Sequence, residues 1–242
     1  INTLNQALKK EFGEKVVKLS IDAGFTCPNR DGSKGFGGCT FCSARGSGDK
    51  ASTIDDQIAL LSKKWPNAKY LAYFQNYTGT YAPVSKLREL YYGVLDDPRI
   101  LGLAIATRSD CIDDECLKLL DEINKEHFLW VELGLQTIHE DSAHRLNLCH
   151  TLGDYDETIS KLNALNIRTV THLILGLPGE SKHDMKMSVT HAIKSNTWGL
   201  KLHLLNMISG TKLAKELPDY LPFESMDECS CTVRKQATEN KR

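Results

Sequence analysis

The chain is organised around the stretch Phe25-Thr-Cys-Pro-Asn-Arg-Asp-Gly-Ser-Lys-Gly-Phe-Gly-Gly-Cys-Thr-Phe-Cys42, which places three cysteines in one loop with the spacing C-x11-C-x2-C. The two residues between Cys39 and Cys42 let both sulfurs reach one metal centre, and the glycines of the longer arm let it curl until Cys27 joins them. A structural zinc site needs four protein ligands, whereas a [4Fe–4S] cluster held by three thiolates leaves one iron open. The stretch therefore predicts an iron–sulfur cluster with an open iron position.

Two other interpretations of these thiols remain open. One is a zinc knuckle whose fourth ligand comes from elsewhere in the chain, and the other is a set of buried thiols that bind no metal. A disulfide framework is disfavoured, because no secretory signal is visible at Ile1 and the eight cysteines are spaced irregularly over 242 residues. Cys229 and Cys231 form a separate pair that we interpret as incidental, with a second cluster as the alternative.

The cysteine loop directly follows a predicted strand, Val16–Ile21. A helix is predicted before it over Thr3–Glu14, where Leu4, Leu8 and Phe12 recur every four residues. Further strands are predicted near Tyr70–Phe74, Leu101–Thr107, Phe128–Leu135, Thr169–Leu175 and Gly199–Leu205, and helices near Ile54–Lys64, Val84–Leu95, Asp113–Asn124, Tyr155–Leu165 and Lys182–Ser195. This alternation predicts an α/β fold, a partial (β/α)6 barrel of the TIM type, with its active site at the C-terminal ends of parallel strands.

The domain organisation is expected to be simple, because no long linker interrupts the alternation. Residues 1–14 would form an N-terminal helix packed on the barrel, residues 15–217 the barrel, and residues 218–242 a C-terminal extension of uncertain structure. With 41% hydrophobic and 25% charged residues, the composition is that of a globular protein. No run approaches the roughly 20 apolar residues of a membrane span, and the net charge of −1 gives no global nucleic-acid signature. We expect a cytoplasmic protein with no membrane partner.

Further motifs carry a resemblance to a known family over about residues 3 to 217. They are Phe12-Gly-Glu-Lys-Val, Asp22-Ala-Gly-Phe-Thr-Cys-Pro-Asn-Arg-Asp-Gly, Gly37-Gly-Cys-Thr-Phe-Cys42, Tyr73-Phe-Gln, Tyr81-Ala-Pro, Ala106-Thr-Arg, Trp130-Val-Glu-Leu-Gly-Leu-Gln-Thr137 and His172-Leu-Ile-Leu-Gly-Leu-Pro-Gly-Glu180. In this order they resemble the YhcC/YtqA-like branch of the radical S-adenosylmethionine enzymes and, more distantly, the radical domain of the elongator catalytic subunit.

The resemblance implies two cofactors, a [4Fe–4S] cluster on Cys27, Cys39 and Cys42 and S-adenosylmethionine on the open iron. An electron donor such as flavodoxin or ferredoxin would reduce the cluster, and S-adenosylmethionine would be cleaved to a 5′-deoxyadenosyl radical. The resemblance also implies a tRNA substrate, with radical removal of the carboxymethyl group from wobble 5-carboxymethylaminomethyluridine to leave aminomethyluridine. The alternatives are a radical enzyme acting on a protein or small metabolite, and a non-enzymatic iron–sulfur or zinc binding module.

The resemblance also places an adenine site. Phe41 would lie beside the adenine, with a plain core role as the alternative, and Leu175 and Leu204 would border the same group from the ends of the fifth and sixth strands. His172 and His203 stand in those two strands as acids, bases or substrate ligands, or else as hydrogen-bonded core histidines.

Polar residues after the second strand and within the fourth are the next candidates. Gln75, Tyr77 and Thr78 occupy the place where the superfamily binds the methionine amino group, unless they only line a turn. Glu132 and Gln136 share one face of the fourth strand by the period of two, and a carboxylate there is costly without a partner. We expect a bound cofactor chiefly to satisfy both, with a structural ion pair as the alternative for Glu132.

Cationic residues are needed for the cofactor carboxylate. Arg108 ends the third strand and is expected to face the cavity, with a surface position as the alternative. The family's N-R-G-H pattern reads Asn147-Leu-Cys-His150 here, so Leu148 replaces the usual arginine, and Arg145 is the candidate substitute from one turn earlier. Cys149 replaces the glycine and is either a radical hydrogen donor or a buried apolar thiol.

Overall fold

The computed structural model describes residues 2–46 and 48–223, so the interpretation of Cys229 and Cys231 lies outside the described residues. Six parallel strands in the order β1 to β6 form one curled sheet, which confirms the predicted partial barrel. The strands are β1 Val16–Ile21, β2 Lys69–Phe74, β3 Ile100–Thr107, β4 Phe128–Gln136, β5 Arg168–Leu175 and β6 Gly199–Leu204. The helices are α1 Leu4–Phe12, α2 Ile54–Leu61, α3 Val84–Leu95, α4 Asp114–Glu126, α5 Glu140–Arg145, α6 Leu152–Ala164, α7 Lys182–Lys194 and α8 Lys212–Glu216.

Every predicted strand and helix is present, because the apolar periodicities coincide with clear start and stop signals. Helix α1 begins at a capping box on Thr3 and ends at Gly13, whose φ of 76° is the left-handed conformation that glycine adopts easily. Helices α5 and α8 were not predicted. They have only six and five residues, which is too short for a hydrophobic period to show.

The two faces of the sheet pack against different material. The outer face forms the main core with the helices, and Leu19, Leu103 and Leu133 are completely buried there. The inner face carries a smaller apolar cluster in which Trp130 is completely buried and α1 contributes Leu8. Since this cluster is built from α1 and the first residues of the strands, it closes the N-terminal end of the barrel and leaves the opposite end for a site.

The sheet is open, since each edge strand is paired with one other strand, although Ile21 of β1 also forms an isolated bridge with Ser52. Strand β1 pairs with β2, and β6 pairs with β5. The C-terminal strand ends lead into the loops that carry the predicted site residues, as the parallel alternation requires. No helix among the described residues has the length and apolar composition needed to cross a lipid bilayer.

Candidate functional site

A cavity of about 280 Å³ runs from the loops at the C-terminal strand ends down into the barrel. Cys27, Cys39 and Cys42 line its wall at the loop end. Gln75, Tyr77, Thr78, Arg108, Glu132, Gln136 and Leu204 line the same cavity, and so does Phe41. The curl of the sheet therefore brings together most of the side chains that the sequence singled out, although they lie far apart along the chain.

Cys39 and Cys42 lie close together in the loop, and Cys27 lines the same cavity. Cys42 N–H donates to the carbonyl of Cys39 at 3.0 Å, and the hydrogen bond with Cys42, together with burial, raises the pKa of the Cys39 thiol. Adjacent thiolates need positive charge nearby; Arg108 contributes it electrostatically, and a bound iron cluster would supply more. Within residues 2–46 and 48–223, no three His, Cys, Asp or Glu side chains lie close enough to hold a single metal ion.

The elbow between α5 and α6 anchors the cysteine loop. The side-chain amide of Asn147 donates to the Gly38 carbonyl at 2.9 Å, and Asn29 donates to Asn147 O and to Cys39 Sγ. Thr40 N–H donates to the Leu146 carbonyl at 2.9 Å. These contacts explain why residues about one hundred positions downstream matter for the geometry of the thiols.

The segment after β2 supports the other side of the loop. Tyr77 has a left-handed φ of 56°, and its hydroxyl donates to the Ala44 carbonyl at 2.9 Å. Thr78 is completely buried and lines the cavity, yet its hydroxyl has no hydrogen-bond partner among the described residues. Gln75 accepts a hydrogen bond from Ser20 at 3.1 Å. An orphaned hydroxyl in a cavity wall is the kind of group that a polar ligand satisfies.

Arg108 is buried, so the surface alternative for it does not apply. It forms a two-pronged ion pair with Asp110, with both N···O distances at 2.9 Å, and it donates to the carbonyls of Leu148 and Cys149. Burial raises the pKa of Asp110, but hydrogen bonds from Arg108 and Lys34 outweigh it and hold that pKa at about 2. Arg108 thus fixes the backbone of the elbow where the family has its arginine.

Glu132 lies at the floor of the cavity, 2% exposed, and is the centre of a buried network. Its Oε1 accepts from Lys18 Nζ at 2.8 Å and Trp130 Nε1 at 2.9 Å, and its Oε2 accepts from Tyr73 OH and His172 Nε2 at 2.7 Å each and from Lys201 Nζ at 3.1 Å. The expectation that a cofactor chiefly satisfies this carboxylate is therefore wrong, because five protein donors already do so.

Electrostatics at the floor follow from this network. Burial would raise the pKa of Glu132, but the hydrogen bond from His172 and the charges of Lys18 and Lys201 hold it well below its usual range. Burial lowers the pKa of His172, and burial, together with the neighbouring His172 and Lys201, lowers that of His203 to about 4. Near neutral pH the floor therefore holds an ionised glutamate and neutral imidazoles.

Two candidate residues differ from their expected placement. Leu175 is 1% exposed and packs in the outer core with the helices, because alternation along β5 turns Ile174 rather than Leu175 toward the cavity. Arg145 is exposed at the end of α5 and does not line the cavity, so it does not stand in for the arginine replaced by Leu148. Leu148 itself lines the cavity wall.

Cys149 is exposed rather than a buried apolar thiol, and its φ of 56° explains why the family has glycine there. Gln136 also has a left-handed φ, of 67°, at a register shift near the end of β4. Its side chain approaches Gly134, where an added Cβ would lie 2.7 Å from Gln136 Nε2. Both residues hold strained backbone beside the cavity.

Lys18, Tyr73 and Lys201 belong to the Glu132 network but were not predicted from the sequence. A signal was available, since Lys18 and Lys201 each stand between apolar residues in a predicted strand. In a flat sheet with one face in water, such positions are interpreted as facing solvent. In a curled sheet they point to the interior, where a carboxylate at Glu132 needs cations.

Comparison with known proteins agrees with this geometry. Residues 27–192 match the model of the Radical SAM superfamily. The chain is 44% identical over 237 residues to the uncharacterized protein YtqA of Bacillus subtilis, covering 94% of this chain and 73% of that protein. It is 39% identical over 220 residues to protein YhcC of Escherichia coli, covering 89% of this chain and 71% of that protein. A weaker similarity, 29% identity over 121 residues, is found with Elongator complex protein 3 of Schizosaccharomyces pombe, covering 48% of this chain and 22% of that protein.

Solved structures share the fold at low identity. Methylornithine synthase superposes with a TM-score of 0.63 at 12% identity, covering 96% of this chain and 65% of that one. Elp3 of Methanocaldococcus infernus superposes with a TM-score of 0.61 at 16% identity, covering 94% and 54%. The chain thus spans between about half and two thirds of these solved chains. The matched superfamily model and the two relatives near 40% identity make the chain a member of the radical S-adenosylmethionine superfamily, in the family of YtqA and YhcC.

Proposed function

We propose that this chain is the catalytic barrel of a radical S-adenosylmethionine enzyme. Cys27, Cys39 and Cys42 would hold a [4Fe–4S] cluster at the loop end of the cavity, and S-adenosylmethionine would bind against the open iron. The observation that carries the proposal is that three thiols open into the same cavity as the unpartnered Thr78 hydroxyl. Bound there, the two cofactors would supply reductive carbon–sulfur cleavage and abstraction of a hydrogen atom from the substrate.

The residues of this chain would then have separate tasks. Phe41 packs in an apolar cluster beside the thiols and would provide a wall for the adenine. Thr78 and the segment from Gln75 to Tyr77 would receive the methionine amino group, and Arg108 would hold the elbow in place. The apolar cluster around Trp130 closes the barrel below the floor and excludes water from the reaction.

The test is anaerobic. The reconstituted protein should contain about four irons and four sulfides and, with dithionite, release 5′-deoxyadenosine and methionine from S-adenosylmethionine. Stoichiometric zinc without iron would favour the zinc module. A loaded cluster that binds S-adenosylmethionine and never cleaves it would favour a binding module over an enzyme.

A narrower proposal concerns the substrate, and it rests on the resemblance to the YhcC/YtqA-like family and, more distantly, to the elongator catalytic subunit. The substrate would be wobble 5-carboxymethylaminomethyluridine in tRNA, with aminomethyluridine as product, in the cytoplasm with flavodoxin or ferredoxin as electron donor. Incubation with bulk tRNA followed by nucleoside mass spectrometry tests it. Cleavage of S-adenosylmethionine without any change in that nucleoside would direct the search to a protein or small metabolite.

A further inference from the structure

The charges along the cavity are unbalanced. Among the described residues that line it, Glu132 is the only carboxylate, whereas Arg30, Arg108 and Lys201 bring three basic side chains. Arg108 is neutralised by Asp110, and Arg30 donates to the carbonyls of Ser43 and Ala44 near the mouth. The excess of basic over acidic side chains that lies deepest in the cavity is therefore at the floor.

At the floor, two ammonium groups share one carboxylate. Lys18 and Lys201 approach opposite oxygens of Glu132, at 2.8 and 3.1 Å. With His172 and His203 neutral, the floor has one basic side chain more than it has carboxylates, and burial lowers the pKa of Lys18 against the attraction of Glu132. Burial is the main cause of the lowered pKa of His203, and the neighbouring Lys201 lowers it further.

Of the two lysines, Lys201 is the one that lines the cavity. Lys201 lines the cavity and its side chain is 32% exposed, whereas Lys18 does not line the cavity and packs over the Tyr73 ring at 3.8 Å. His203 lines the cavity beside Lys201, with its ring 5.1 Å from that of His172. The accessible end of the floor therefore offers an ammonium group with an imidazole next to it.

We propose that the floor binds a carboxylate of the substrate through Lys201, with His203 as the neighbouring donor. A monoanion neutralises a single surplus charge, whereas a phosphate dianion would leave an excess negative charge beside Glu132 in a low-dielectric site. The inference rests on the proposed function, which puts the carboxylate of S-adenosylmethionine at the iron. Four residues of strand, about 13 Å, separate Glu132 from the end of β4, so the floor is left for a second molecule.

The experiment uses a matched pair of ligands, N-acetylglycine and N-acetylglycinamide, which differ in charge but hardly in shape. They are titrated at low ionic strength into the reconstituted, unreduced protein with S-adenosylmethionine bound, and the histidine ring resonances are followed by NMR. The His203 signal, assigned with His203→Gln, should shift saturably with the carboxylate, and its pKa should rise. The amide should leave it unchanged.

Lysine variants locate the contact. Lys201→Met should weaken carboxylate binding about 10- to 150-fold, the loss of one charge-assisted hydrogen bond, and Lys201→Arg should retain most of it. Lys194→Met, an exposed lysine on α7, is the matched control and should bind like the wild type. The wild-type ligand pair keeps the test decisive even where Lys201→Met fails to fold.

Failure of the inference can be told from failure of the proposed function. Normal cleavage of S-adenosylmethionine with equal response to acid and amide, or with unchanged carboxylate affinity in Lys201→Met, would overturn the inference alone. Loss of S-adenosylmethionine binding in Lys201→Met would also overturn it, since the floor would then hold the cofactor. Absence of any cleavage by the wild type would instead overturn the proposed function.

Discussion

Lys18 on β1 and Lys201 on β6 donate to the same carboxylate, that of Glu132 on β4, although their strands lie at opposite edges of the sheet. No backbone pairing joins β1 to β6 among the described strands. The shared carboxylate therefore links the edges across the barrel interior, where a closed barrel would use hydrogen bonds between strands. The network is structural and also shapes the charge of the cavity.

The first prediction concerns the stability that this carboxylate provides. Glu132→Gln removes the negative charge that Lys18 and Lys201 face and replaces one of the two acceptor oxygens with an NH2 donor, and breaking a buried ion network by removing one partner costs about 3–5 kcal/mol. We expect the urea midpoint to fall by the amount that corresponds to this free energy, with an unchanged dependence of the free energy of unfolding on urea concentration. A loss below about 1 kcal/mol would show that water already screens the site.

The control for this prediction is a double-mutant cycle with Lys18→Met. If the two residues interact as the 2.8 Å contact indicates, the double variant should lose less stability than the sum of the single variants. Additive losses would mean that Lys18 and Glu132 act independently.

The second prediction is a pH dependence. The pKa of His203 is about 4 in the folded protein against an ordinary 6.5, so the unfolded chain binds more protons between these values. The free energy of unfolding therefore has its full value above about pH 6.5 and decreases as the pH drops toward 4. His203→Gln should flatten this dependence relative to the wild type in urea titrations at several pH values. Identical slopes would show that His203, which faces His172, Lys201 and Glu132, is not the titrating group.

The sequence predicted the strands and helices well because each carries its own local signal. Polar residues at strand ends were also predictable, since parallel strands bring their C-terminal ends together. The partners of Glu132 were not, because Lys18 and Lys201 contact it only after the sheet curls. Leu175 was misplaced for a related reason, since the side of a strand that faces the cavity depends on register within the curled sheet.

Arg145 shows another limit of sequence reasoning. Counting back one turn from the missing arginine assumes a regular helix, but α5 ends at Arg145 and the chain turns through left-handed residues at Asn147 and Cys149. Of the residues in this turn, only Asn147 is of a type that commonly signals a left-handed turn in a sequence. Arg108, which bonds the elbow, comes from a strand about forty residues earlier.

The third prediction separates the loop thiols from the other cysteines. Single Cys→Ser variants at Cys27, Cys39 or Cys42 should lose most of the iron and the associated visible absorption after reconstitution. The controls are Cys111→Ser and Cys116→Ser, because Cys116 is buried in the outer core and neither lines the cavity. Equal iron in all five variants would remove the loop as the cluster site.

The last prediction concerns Gln136, whose left-handed backbone costs about 1–2 kcal/mol in a residue other than glycine. Such strain beside a cavity is retained when the side chain has a task there. Gln136→Gly should therefore leave stability unchanged or raise it by up to about 1 kcal/mol, because relief of strain is offset by the flexibility of glycine. It should also weaken S-adenosylmethionine binding about 2- to 12-fold, the equivalent of one neutral hydrogen bond.

Calorimetry on the iron-loaded variants decides whether strain and binding are linked at Gln136. Asn166→Gly is the matched control, since Asn166 has a φ of 54° but is exposed at the end of α6 and does not line the cavity. It should relieve backbone strain without changing cofactor affinity. Unchanged affinity in Gln136→Gly would mean that the Gln136 side chain makes no cofactor contact. The left-handed residue would then serve only to end β4 and redirect the chain toward α5.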